Sequence, residues 1–85
     1  MVKDILLRFG FEEKDPETLW WGVGSLVWGH EITIRCLEDD FYEIKHHQWE
    51  YNSDGDCVRD DTFKDVLHGK DLIQYIIDNT PDRYR

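Results

Sequence analysis

Residues Glu31–Trp49 read EITIRCLEDDFYEIKHHQW, two alternating runs on either side of the acidic corner Glu38-Asp39-Asp40. Ile32, Ile34 and Cys36 point one way, Thr33 and Arg35 the other. That is the pattern of a half-buried antiparallel strand. After the corner, Tyr42, Ile44 and His46 alternate with Glu43, Lys45 and His47, so the first set shares the core face with Ile32 and Ile34. The stretch therefore reads as a β-hairpin. Beyond His46 the alternation fails, because Trp49 and Tyr51 fall at the other parity. A bulge near His46-His47-Gln48 would restore the register.

Upstream, Leu19–Val27 (LWWGVGSLV) has the Trp, Val and Leu content of a strand, weakened by Gly22 and Gly24 on the same face as Trp20. This suggests a close-packed or bulged edge strand, followed by a turn at Trp28-Gly29-His30. Glu12–Thr18 (EEKDPET) is polar, contains Pro16 and reads as a connection. Val2–Phe9 places Val2, Ile5, Leu6 and Phe9 at helical spacing. Gly10 sits where a left-handed residue closes a helix, and Phe11 can fold back onto Leu6 or Leu7. A helix this short is unstable alone and must dock.

Downstream, Asn52–Asp56 (NSDGD) is a turn with Gly55 placed for a left-handed residue. Cys57–Leu67 reads as a further strand interrupted by Asp60 and Asp61, and Thr62–Leu67 could equally form a helical turn. Asp71–Asn79 spaces Leu72, Ile73, Ile76 and Ile77 as a helix that Pro81 stops. Residues 80–85 read as a frayed tail. The fold class is α+β in a single domain over residues 1–85. A short N-terminal helix, a three- to four-stranded antiparallel meander and a C-terminal helix follow in order, with both helices packed on one sheet face. Double-stranded RNA-binding domains share this order. Here, however, the second helix offers only Lys70, beside Asp71, where that fold needs a basic cluster.

The formal net charge is −9, which disfavours direct nucleic-acid binding and would attract a basic partner. No apolar run approaches the length of a membrane span, and no N-terminal run has the form of a signal peptide. Two cysteines, Cys36 and Cys57, are too few for a secreted disulfide scaffold. A cytoplasmic setting with free thiols is the expectation, with a disulfide between the two as the alternative. Small size, acidity and sparse chemistry are the profile of many accessory proteins of bacteria and their mobile elements.

Glu50, Asn52, Asp54, Gly55 and Asp61 approach the spacing of a calcium loop. Glu replaces Asp at the first position, Asp replaces Glu at the last, and the flanks read as strands instead of helices. A plain turn explains the same residues. His30, His46, His47 and His68 with the two cysteines contain no paired zinc-ligand spacing, and His46 and His47 should face opposite ways. Cys36 reads as an inert core thiol. Cys57 could serve a histidine as nucleophile, but it stands among acids. Gly22-x-Gly24 lacks the rest of a phosphate loop, and no cofactor is expected. The chain reads as a non-enzymatic protein–protein interaction or regulatory module. In its sharper form it is an acidic inhibitor of a basic, nucleic-acid-handling protein. Trp20, Trp28, His47, Trp49 and Tyr51 are the candidate interaction surface, since four Trp are hard to bury in so small a core. An edge strand could also recruit a second copy as a homodimer.

Overall fold

A computed structural model describes residues 2–79. Helix α1 spans Val2–Arg8, and α2 spans Gly69–Asn79. Between them lie β1 (Glu12–Asp15), β2 (Thr18–Gly24), β3 (Trp28–Cys36), β4 (Phe41–Tyr51) and β5 (Cys57–His68). The strands form one antiparallel sheet in the order β1-β2-β3-β4-β5, so every neighbour in the sheet is a neighbour in sequence. The class is α+β, as the sequence predicts, but the sheet has five strands and not three or four. The expected tail over 80–85 and the stop at Pro81 lie outside the described residues.

The hairpin forms where the alternation places it. Ile32 faces His46, Ile34 faces Ile44 and Cys36 faces Tyr42 across β3 and β4. These residues, with Leu19 and Trp21 of β2, define the core face. Ile32, Ile34, Ile44, Leu19 and Trp21 are buried in one cluster with Leu6 of α1, Phe11, and Leu72 and Ile76 of α2. The helix end behaves as Gly10 foretells. Gly10 takes a φ of 100°, and the Phe11 amide returns to the Leu6 carbonyl at 3.1 Å, which delivers the Phe11 ring to the core. At the hairpin corner the Phe41 amide donates to the Glu38 carbonyl at 3.2 Å. Asp39 and Asp40 both adopt left-handed φ, 58° and 63°. Two positive φ values mark the mirror-image turn whose twist matches a hairpin, and Asp tolerates it better than most residues.

Four expectations need correcting, and one pair of alternatives is decided. Glu12–Asp15, read as a connection, is the edge strand β1, which pairs Glu12 with Trp20 and Glu13 with Leu19. Consequently β2 is interior and not an edge. Trp28-Gly29-His30 is the start of β3 and not a turn; the chain reverses at 25–27, where the Ser25 amide donates to the Trp28 carbonyl at 2.8 Å. No bulge interrupts His46–Gln48. Register holds through Glu50, and the irregularity falls between Glu50 and Tyr51, with Val58 the extra residue on β5. Trp49 needs no correction of parity, because it belongs to the outer face of the sheet. Finally, residues 62–67 continue β5, with no helical turn.

The two cysteines cannot bond. Cys36 pairs with Tyr42 at one end of β4 and Cys57 with Tyr51 at the other. Those positions are roughly 30 Å apart along the strand, against the ~7 Å limit of a disulfide. Both thiols are free.

Candidate functional site

The outer face is built by tryptophans resting on glycines. Trp20 and Gly22 share this face of β2, and a side chain on Gly22 would run into the Trp20 indole. Gly29 faces Trp49 across the β3–β4 ladder, and a Cβ there would fall within the Trp49 ring. The glycines thus let two indoles lie flat on the sheet. Trp20 Nε1 donates to Glu31 Oε2 at 3.3 Å. Glu31 Oε1 lies 3.7 Å from His47 Nδ1, and His47 Nε2 is 2.7 Å from Asp60 Oδ1. The His47 and Trp49 rings approach to 4.9 Å, and the Lys14 ammonium stands 4.8 Å from the Trp20 ring. A line of polar and aromatic groups therefore crosses β2, β3, β4 and β5. His47 held between two carboxylates has the look of an oriented base, but no hydroxyl or thiol hydrogen-bonds its ring among the described residues.

The second feature is the far end of the sheet. Here the 25–27 reversal meets the loop between β4 and β5, and the Tyr51 amide donates to the Val27 carbonyl at 2.6 Å. Leu26 is 99% exposed, and Val27, Trp28, Tyr51 and Val58 are all open to solvent. Trp28, Trp49, Tyr51, His30 and Arg59 border a concavity of about 340 Å³. A second one, about 260 Å³, lies between Trp20 and Trp49. Of the five candidate contact residues, Trp28, Trp49 and Tyr51 line the first and Trp20 and Trp49 the second. His47 touches Trp49 from the outer face.

The core face holds a polar cluster that residue-by-residue reading leaves scattered. His46 is only 4% exposed. Its Nδ1 lies 2.5 Å from the Tyr75 hydroxyl, its Nε2 is 3.0 Å from the Gln48 amide nitrogen, and it contacts His30 Nε2. With the Gln48 amide donating, Nε2 is the unprotonated nitrogen and Nδ1–H donates to Tyr75; the tautomer is assigned from these partners. The His30 and His46 rings stack at 4.4 Å, and Phe63 stacks on Tyr75 at 5.4 Å. Burial pushes His46 down to about 4, and His30 and the Arg59 charge add to that. His30 is also lowered, by burial and then by Arg59. The signal was available: His46 keeps the parity of Ile44, and Tyr75 shares the apolar stripe of α2 with Leu72 and Ile76. Only the fold shows that they meet.

The remaining candidates stay apart. His46 and His47 face opposite sides, as adjacent strand residues must, and His68 sits at the other end of the sheet, 3.6 Å from Asp40. Among the described residues no three His, Cys, Asp or Glu side chains converge to hold a metal. In the 50–61 loop, Asn52 Oδ1 accepts from the Asp54 and Asp56 amides at 2.9 and 3.0 Å. Asp61 binds Arg59 at 2.8 Å, and Glu50 pairs with Arg59 in register. The Asn52 and Asp61 oxygens of the near-calcium pattern thus hold a turn and a strand. Burial raises the Cys36 thiol, while Cys57 Sγ donates to the Arg59 carbonyl at 3.4 Å. Neither thiol hydrogen-bonds a histidine ring. No helix among the described residues is long and apolar enough to cross a membrane. No family model matches the chain, and neither does any curated protein or solved structure.

Proposed function

We propose that this chain is a cytoplasmic binding module without catalysis, and that its ligand is another protein with an apolar centre and a basic rim. The observation that carries this reading is the far end of the sheet. Leu26, Val27, Trp28, Tyr51 and Val58 expose apolar surface there, next to Asp54 and Asp56 of the adjoining loop. Singly exposed apolar residues need no explanation, but a cluster beside charge is the composition of a contact surface. In this reading both helices back the core face, which leaves the indoles of the outer face to widen the contact. Net charge of −9 speeds encounter with a basic partner and repels phosphate backbones. Covering the groove of a nucleic-acid enzyme is the regulatory act that such a surface suits.

Affinity capture at about 50 and 300 mM salt tests it, with wild type and Trp28→Ala as paired baits. A basic protein should be retained at low salt and released at high salt. The variant should weaken its retention by roughly tenfold or more. Recovery of no partner, or of one indifferent to both salt and Trp28, overturns the reading.

A further inference from the structure

Strand β5 is an open edge, and it is long. Its 12 residues run along the sheet's free side, all but Leu67 exposed. The opposite edge, β1, has four residues and a register shift, which blunts it. On β5 the Val66 amide is turned away from β4, since it is bonded at 2.7 Å by the carboxylate of Asp65. Backbone groups alternate along an antiparallel strand. Asp60, Thr62 and Lys64 therefore direct their N–H and C=O groups outward with Val66.

The residues of this edge are self-complementary about one point. From Arg59 the strand reads R-D-D-T-F-K-D to Asp65. Fold a second copy against it antiparallel, with the two-fold axis at Thr62. Thr62 then faces Thr62, Asp60 faces Lys64 and Arg59 faces Asp65, each charged pair occurring twice. Asp61 faces Phe63. All outward amides meet outward carbonyls. The neighbouring registers fail on charge: centring on Asp61 sets that acid against itself, centring on Phe63 sets Asp61 against Asp65, and centring on Lys64 sets lysine against lysine. Half-step registers oppose residues from different faces of the sheet. The bulge at Val58 ends the regular edge just beyond the complementary stretch.

We propose that the chain self-associates through β5, in this register, into a two-fold dimer with one continuous sheet. The ligand is a second copy of this chain, and the surface adjoins the exposed end proposed above for a partner, meeting it at Val58 and Arg59. In the isolated chain Asp65 caps the Val66 amide and Arg59 is bonded to Asp61. In the dimer both turn outward to each other. Asp60, already bonded to His47, gains Lys64 of the second copy. A single strand pair is a small interface, so the dissociation constant should be on the order of tens of micromolar.

Sedimentation equilibrium on the full chain from about 5 to 500 μM tests this. Wild type should dimerise. Asp60→Lys sets lysine against lysine, and Lys64→Asp sets acid against acid. Each should weaken association by ~10-fold or more. An equimolar mixture of the two variants should pair again, because each supplies the charge that the other lacks. In wild type, the Thr62 and Lys64 amides should exchange faster on dilution. A monomer throughout the range, association indifferent to either charge reversal, no recovery on mixing, or dilution-independent exchange overturns the proposal.

Discussion

His46 shows how one residue can be core and polar at once. Its ring takes the place of an aliphatic side chain opposite Ile32, and Tyr75, Gln48 and His30 satisfy its nitrogens. An imidazolium in that place would lose its solvation and face a second histidine, so the folded state favours the neutral form. Its depressed value near 4 lies below the ordinary 6.5. The associated stability is therefore fully present above pH 6.5 and is lost as pH falls toward 4. Urea midpoints between pH 7.5 and 4.5 should drop by the equivalent of about 2 kcal/mol, a figure discounted because His30 opens the cluster toward water. His46→Gln keeps a hydrogen-bonding group and removes the titration, so its acid limb should be flatter. Equal slopes in both proteins would refute the assignment. The core role of His46 was legible in the alternation with Ile44. Its partners were not, because Tyr75 is 29 residues away and only the docking of α2 brings the hydroxyl within reach.

Elements follow the same division. The hairpin of β3 and β4 could be read because burial on one face imposes a period of two. Strand β1 could not: Glu-Glu-Lys-Asp carries no apolar signal, and it is a strand only because β2 offers a ladder and Lys3 of α1 reaches Glu13 at 2.6 Å. Strand β5 looked interrupted at Asp60 and Asp61, yet an edge open to water has no reason to exclude acids. Trp49 misled for another cause. A large aromatic suggests the core, whereas its burial here comes from a bare patch of backbone at Gly29 on the adjacent strand. That pairing makes a prediction for β3 and β4. Gly29→Ala should displace the Trp49 indole and cost about 1–3 kcal/mol, a fall in Tm of several degrees measured by calorimetry. In a Trp49→Ala background the same change should cost much less. A glycine needed only for its backbone freedom would show equal penalties in both.

At the scale of the molecule, the buried residues gather toward one end of the sheet, while exposed apolar residues occur at both, Leu26 and Val58 at one and Leu37 and Phe41 at the other. The principal extents are 46 × 24 × 24 Å. Ile34, Ile44, Leu6, Leu72 and Ile76 are fully buried, while around Tyr51, Asn52 and Val58 the one buried residue among those described is Gly29. Opening should therefore begin at the 51–58 loop and reach Ile34 and Ile44 only on global unfolding. Native-state amide exchange should give low opening free energies near Arg59 and the global value at Ile44. Uniform protection along β4 would contradict this. The net charge and fold class were legible throughout. The uneven placing of the core was not, because it depends on where α2 stops relative to the longest strands.

The order of the strands also bears on how the chain finds its shape. Each ladder joins neighbours across a short reversal, at 16–17, 25–27, 37–40 and 52–56. Closing such loops costs little entropy at each step, so the sheet can grow hairpin by hairpin. The contact of α1 with α2 is of another kind, since it joins the two ends of the described chain. A meander closed by its terminal helices combines quick local assembly with a late, long-range seal.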